Sequence, residues 1–222
     1  MRGTTTMKSL AGGAALVLSA GLLAGTTTSS ATAMGNAAAA PIAETQAKLK
    51  PLNNSPVNGT ATVMVNGRRL QVSIDATRLL KKMPHAQHIH FGAQARHECP
   101  TVRDDDNADH RLNTVEGQPA YGPVKVSLTK SGDTSPKSTL AVNRFPKAKD
   151  RQVHYNRSMK TGSKTARGIR NGKAVIVLHG IDYNNNGKYD FGAGRSDLDP
   201  SLPAEATDPV SCGRLRVVGG GN

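Results

Sequence analysis

Tryptophan is missing from this sequence, and its other large aromatic side chains number only three phenylalanines and four tyrosines. A core must therefore be assembled mainly from valine, leucine and isoleucine. The chain also offers few rings on which nucleic-acid bases could stack, its basic residues are dispersed, and no nucleic-acid motif is recognisable, so no nucleic-acid partner is expected. Acidic residues are scarce, 16 against 29 lysines and arginines. That balance disfavours cationic partners and favours anionic ones, among them small anions and the acidic polymers of a cell envelope. No internal repeat is visible. The apolar stretch Leu10–Ala24 has 15 residues, short of the roughly 20 that a membrane-spanning helix needs.

That stretch reads instead as the apolar region of a secretory signal peptide. Arg2 and Lys8 precede it, and Ala31-Thr-Ala33 supplies a small-residue cleavage site. Residues 1–33 are thus expected to be removed, leaving a secreted or envelope-associated protein with no membrane span. Loss of two basic residues lowers the formal charge from +13 to +11. Residues 34–55, rich in Ala, Asn, Pro and Lys without a clear hydrophobic period, read as a flexible N-terminal segment. Residues 56–219 make one domain.

Only two cysteines are present, and in an exported chain they most simply form one disulfide. Cys99 and Cys212 stand 113 positions apart. Closing so long a loop stabilises the fold by roughly 4–5 kcal/mol in the chain-entropy account.

The domain reads as short strands with turn signals between them. Thr60–Val65 and Leu70–Ile74 flank Asn66-Gly67, a strong hairpin signal. His85–Phe91 and Pro123–Thr129 alternate, Ala174–His179 is an apolar run suited to a strand buried on both faces, and Arg214–Val218 closes the domain. Helical periodicity is weak, with Asp150–Ser158 its best candidate. The pattern predicts an all-β Greek-key sandwich or barrel.

Four of the seven histidines fall between His85 and His97. His88 and His90, two apart on a strand, leave the same face, and two neutral imidazoles there suit copper or zinc. A third ligand must come from elsewhere, and His179 ends the buried run. His85 and His97 read as loop bystanders, while His110, after the acidic run Asp104–Asp109, is a possible fourth ligand. A second candidate is Asp182-Tyr-Asn184-Asn-Asn186-Gly187-Lys-Tyr-Asp190, which has the D-x-N-x-N-G-x-x-D spacing of an EF-hand-type calcium loop. Its twelfth position is Ala193 rather than Glu, leaving Asp197 or Asp199 as substitutes. An Asn-Gly turn needing no metal is the alternative. Because the loop starts three residues after His179, calcium there would help position that histidine.

His88-Ile-His90-Phe-Gly92 followed by Cys99, then His179-Gly180 and Cys212-Gly213, resembles the Cu,Zn superoxide dismutases. "HAQHIHFG" with the later "YGPVKVSL" is similar also to the chordin-type (CHRD) domain. The dismutase resemblance implies a β-sandwich in which His88, His90 and His179 hold copper, Cys99 pairs with Cys212, and superoxide is the substrate. Two departures weigh against turnover. Pro209 stands where the family has an active-site arginine, with Arg214 just past the cysteine, and the further histidines of the zinc loop are absent. The expectation is an exported copper-binding module without enzymatic activity, with a copper-dependent dismutase and a basic envelope-polymer-binding protein as alternatives.

Overall fold

Nine strands run through residues 42–220, the range that this computed structural model describes. The expected signal peptide, residues 1–33, and residues 34–41 lie outside the described residues. β1 (Ala43–Pro51) turns Ala43, Thr45, Ala47 and Leu49 inward and leaves Gln46, Lys48 and Lys50 exposed. This corrects the reading of 34–55 as a flexible segment: its described part contains a strand that pairs with three others. The inward positions of β1 carry mostly alanine and threonine, so the alternation is faint in hydrophobicity although regular in burial.

β2 (Asn58–Asn66) and β3 (Arg69–Thr77) form the expected hairpin, packing Ala61, Val63 and Val65 beside Leu70, Val72 and Ile74. Its two-residue turn is Gly67-Arg68, and Gly67 supplies the positive φ of 57°. β4 (Gln87–His90) and β5 (Val124–Ser127) pair across a long excursion that contains helix α1 (Thr114–Tyr121). Asn113 and Glu116 cap that helix reciprocally, each side chain accepting the other's backbone N–H.

β6 (Gln152–Lys160) occupies the region proposed as a helix and pairs with β3 over all nine residues. Val153, Tyr155 and Met159 point inward at a spacing of two, while Arg157 interrupts that apolar row and hides the strand pattern. Helix α2 (Ser163–Arg170) leads into β7 (Val175–His179), buried at every position as its sequence predicts. Helix α3 (Ala204–Thr207), β8 (Pro209–Arg214) and β9 (Arg216–Gly220) follow. Among the described residues no helix is long and apolar enough to cross a membrane.

The strands join in the order β5-β4-β7-β8-β1-β2-β3-β6, with β9 also on β1. The result is an all-β, antiparallel half-barrel. Its edges β5 and β6 share no ladder, but side chains bridge them. The Tyr155 hydroxyl and the Arg157 guanidinium donate to the Thr129 carbonyl at 3.1 and 2.7 Å, just beyond β5.

The β4–β7–β8 region has two buried faces. Ile89, Ile176, Leu178 and Val210 pack into the main core, each fully buried aliphatic contributing about 1.5–3 kcal/mol. Val175, Val177 and Cys212 face the other way, toward Tyr121 of α1. Cys99 and Cys212 form the expected disulfide, with Cα atoms 5.7 Å apart. It ties the β4–β5 excursion onto this second face.

Candidate metal centre

Register brings the three histidines together. His88 and His90 of β4 lie opposite Val177 and Val175 of β7, so period-two alternation places them on the face shared by Val175, Val177 and His179. His179 continues that face by one further step, its N–H donating to the Ala86 carbonyl at 2.8 Å. The ring centroids are 5.1 Å apart for His88 and His179, 5.8 Å for His88 and His90, and 6.2 Å for His90 and His179. One nitrogen from each ring lies within 4.8 Å of the other two. Among the described residues, this is the only group of three or more His, Cys, Asp or Glu side chains so arranged. The cluster can hold a metal ion.

The outward nitrogen of each ring is held by a backbone carbonyl. His88 Nε2 meets Thr139 O at 3.2 Å, His90 Nδ1 meets Gly122 O at 2.8 Å, and His179 Nδ1 meets Thr207 O at 2.6 Å. Carbonyls only accept, so those nitrogens carry the protons. His88 Nδ1, His90 Nε2 and His179 Nε2 then present lone pairs, and all three are buried with no hydrogen-bond partner. An unpaired buried polar atom costs about 1–3 kcal/mol, and three converging ones fit a cation that accepts all three lone pairs. Burial holds the rings neutral: it lowers His90 to about 3 and His179 to about 4, and His88 falls well below its ordinary value. The neighbouring imidazoles add repulsion at His88 and His90.

Gly122 has a structural reason to be glycine. Its φ is 85°, and a Cβ there would press within 2.8 Å of the Gly92 nitrogen. That conformation accompanies the close approach of its carbonyl to His90. Tyr121 and Phe145 flank the site, with ring centroids 4.4 Å from His90 and 5.3 Å from His88. The histidines lie in the wall of a cavity of about 270 Å³. Among the described residues, no lysine, arginine, aspartate or glutamate lines it.

The other candidates lie apart from this group. His110 is exposed, its N–H bonded to Asp105 Oδ2, and it lines a different cavity with Leu52 and Asn54. His97 stacks on Phe91 at 5.6 Å. His85 lies in the loop before β4 and outside the cluster, as expected, but it is not idle there. It is fully buried, with its two ring nitrogens 3.0 and 3.1 Å from the carbonyls of His179 and Leu80 and the Tyr189 hydroxyl beside it. Its partners are mostly backbone atoms, so sequence spacing gives no sign of this anchoring role. Arg214, just past Cys212, donates to the Gly172 carbonyl, and Pro209 pairs with His179 in the ladder.

The Asp182–Asp190 loop closes through hydrogen bonds of its own. Asp182 accepts the N–H groups of Asn186 and Gly187 at 3.1 and 2.8 Å, and Asp190 accepts the amides of Asn184 and Asn186. Asp197 and Asp199 accept from Val115 and Ser201 instead of turning to the loop. Sequence reading missed Glu205. This fully buried carboxylate accepts the N–H of Tyr183 at 3.0 Å and of Asp190 at 2.8 Å, clamping both ends of the loop. Its position 22 residues past Tyr183 carries no motif.

No protein-family model matches the chain, and no curated protein sequence matches it.

Proposed function

We propose that this is an exported copper-binding domain that holds one ion on His88 Nδ1, His90 Nε2 and His179 Nε2. The observation that carries the reading is the convergence of three buried, unpartnered imidazole nitrogens whose opposite nitrogens are fixed by carbonyls. An all-imidazole set suits copper or zinc, and the divalent series favours Cu(II). Both cysteines are committed to the disulfide, so no thiolate competes for the ion. The resemblance to the Cu,Zn superoxide dismutases and the chordin-type domain supports the same ligands, and the signal-like N-terminus supports export.

Bound copper would supply one-electron redox chemistry at this site. The protein's part is to orient the rings through the carbonyls of Thr139, Gly122 and Thr207, keep them neutral by burial, and leave one side of the cluster open to the cavity. That open side is what favours the second reading, a copper-dependent dismutase, since a catalytic site needs an approach for substrate. The lack of any lysine or arginine among the described residues of the cavity wall favours the binding module.

Copper titration of the oxidised protein, with superoxide consumption read on the same samples, tests both. Stoichiometric copper that His179→Ala abolishes, without turnover, is the expected result. Turnover that follows copper content would make it a dismutase, and absence of copper binding would overturn both readings.

A further inference from the structure

Although the chain carries 29 basic and 16 acidic residues, none of the described residues lining the cavity beside the histidines is Lys, Arg, Asp or Glu. Its walls are largely apolar, with Tyr121, Pro123, Pro136, Leu140, Val142 and Leu198 among them, and Gln118 adds a polar side chain. Leu140 and Leu198, 36% and 39% exposed, extend the apolar lining to the surface. The threonines in the wall have already placed their hydroxyl protons: Thr114 donates to Thr207 O, Thr139 to Pro136 O, and Thr207 to Ser196. Hydration lost by a small anion on entry would not be replaced by N–H or O–H donors from these groups. Besides the histidine nitrogens, the exposed side-chain amide of Gln118 is the polar group in the wall that can direct a ligand.

The volume sets the size. An apolar cavity of about 150 Å³ in another protein accepts benzene, and this one measures about 270 Å³. It has room for one ring with a substituent. A metal on three neutral imidazoles keeps its full positive charge, which favours a ligand whose donor atom brings negative charge while its body remains apolar. An aryl alcohol meets both demands, giving its hydroxyl proton to bulk water and its oxygen to the metal.

We propose that this pocket takes a compact, single-ring aryl alcohol, its ring against Leu140, Val142 and Leu198 and its oxygen toward the point that the three histidine nitrogens share. The assignment rests on the metal reading of the cluster. It also explains an otherwise unpartnered apolar wall around that cluster, which a site built for superoxide does not require.

The test uses the oxidised protein loaded with Cu(II), one ion per chain being checked by metal analysis. It is titrated with 4-methylphenol and separately with azide, reading the charge-transfer absorption that each produces. The expected result is at least tenfold tighter binding of 4-methylphenol than of azide. Leu140→Asp with Leu198→Asp should weaken 4-methylphenol at least tenfold, with copper content unchanged and azide affinity within twofold. Both leucines reach the surface, and circular dichroism verifies folding of the variant. The comparison of probes on the unmodified protein decides the matter without any variant. Azide binding as tight as or tighter than 4-methylphenol overturns the proposal while the copper reading stands. Failure to load copper overturns both.

Discussion

The two metal candidates in this chain differ in how their donor atoms are satisfied. At His88, His90 and His179 the inward nitrogens are buried and unpartnered. At Asp182–Asp190 the oxygens lie near the surface and already accept N–H groups of the same loop. Spacing made both look like sites, but only the first leaves several buried lone pairs for which the protein itself supplies no donor. The contrast predicts its largest effect in thermal unfolding with and without Cu(II). At copper 1,000-fold above its dissociation constant the protein should gain about 4 kcal/mol. His90→Ala should lose that gain and Asp182→Ala should keep it. Equal loss in both would erase the distinction between the regions.

The second effect concerns stability in the loop, where the decisive residue lies outside the motif. Glu205→Ala leaves the backbone N–H groups of Tyr183 and Asp190 without their buried acceptor. We expect a destabilisation of about 3 kcal/mol in urea unfolding. Asp182→Ala, which exposes its two N–H groups to water more readily, should cost about 1 kcal/mol. A smaller effect at Glu205 than at Asp182 would show that the loop is held by its own motif and not by the clamp.

Asp208 follows Thr207, the residue whose carbonyl orients His179, and it separates the regions by pH. Burial raises its carboxyl to about 7 despite Arg111 at 3.5 Å and the Tyr183 hydroxyl at 3.0 Å. The folded value lies above the 3.8 of an unperturbed aspartate, so the neutral acid is the form that the fold favours. Its contribution is complete below about pH 4 and is lost as pH rises through about 7. The loss should be on the order of 2 kcal/mol, discounted for the nearby guanidinium. Asp208→Asn should flatten stability between pH 4 and 7, and an unchanged slope in that variant would remove Asp208 as its source.

The histidine cluster was legible because it depends on two simple regularities. Alternation puts His88 and His90 on one face, and a histidine ending the run Ala174–Leu178 is out of place in a plain core strand. The disulfide was legible from cysteine number alone. The carbonyls of Thr139, Gly122 and Thr207 were not, because a backbone oxygen is available at every residue and only the fold selects three of them. The same holds for His85, whose single ring N–H donates to one of the two carbonyls beside it, His179 or Leu80. β1 escaped because alanine and threonine fill three of its four inward positions, and β6 because Arg157 reaches across to Thr129 from within its apolar row. Local pattern conveys faces of strands, while the atoms that orient a ligand come from distant turns.

The smallest expected effect tests whether the two regions communicate. A physical route exists: the loop is clamped by Glu205, Glu205 belongs to α3, and α3 ends with Thr207, whose carbonyl holds His179 Nδ1. A ligand can shift a second site only through a difference in its affinity for two states of the protein. Here the loop is already closed by its own hydrogen bonds. His179 is also fixed off that route, its N–H donating to Ala86 O at 2.8 Å and its carbonyl facing the His85 ring. Calcium therefore finds no second arrangement of His179 to favour, and millimolar calcium should change copper affinity by less than twofold. A change above fivefold, abolished by Asp182→Ala, would instead mean that the loop has an open state in which Thr207 releases His179.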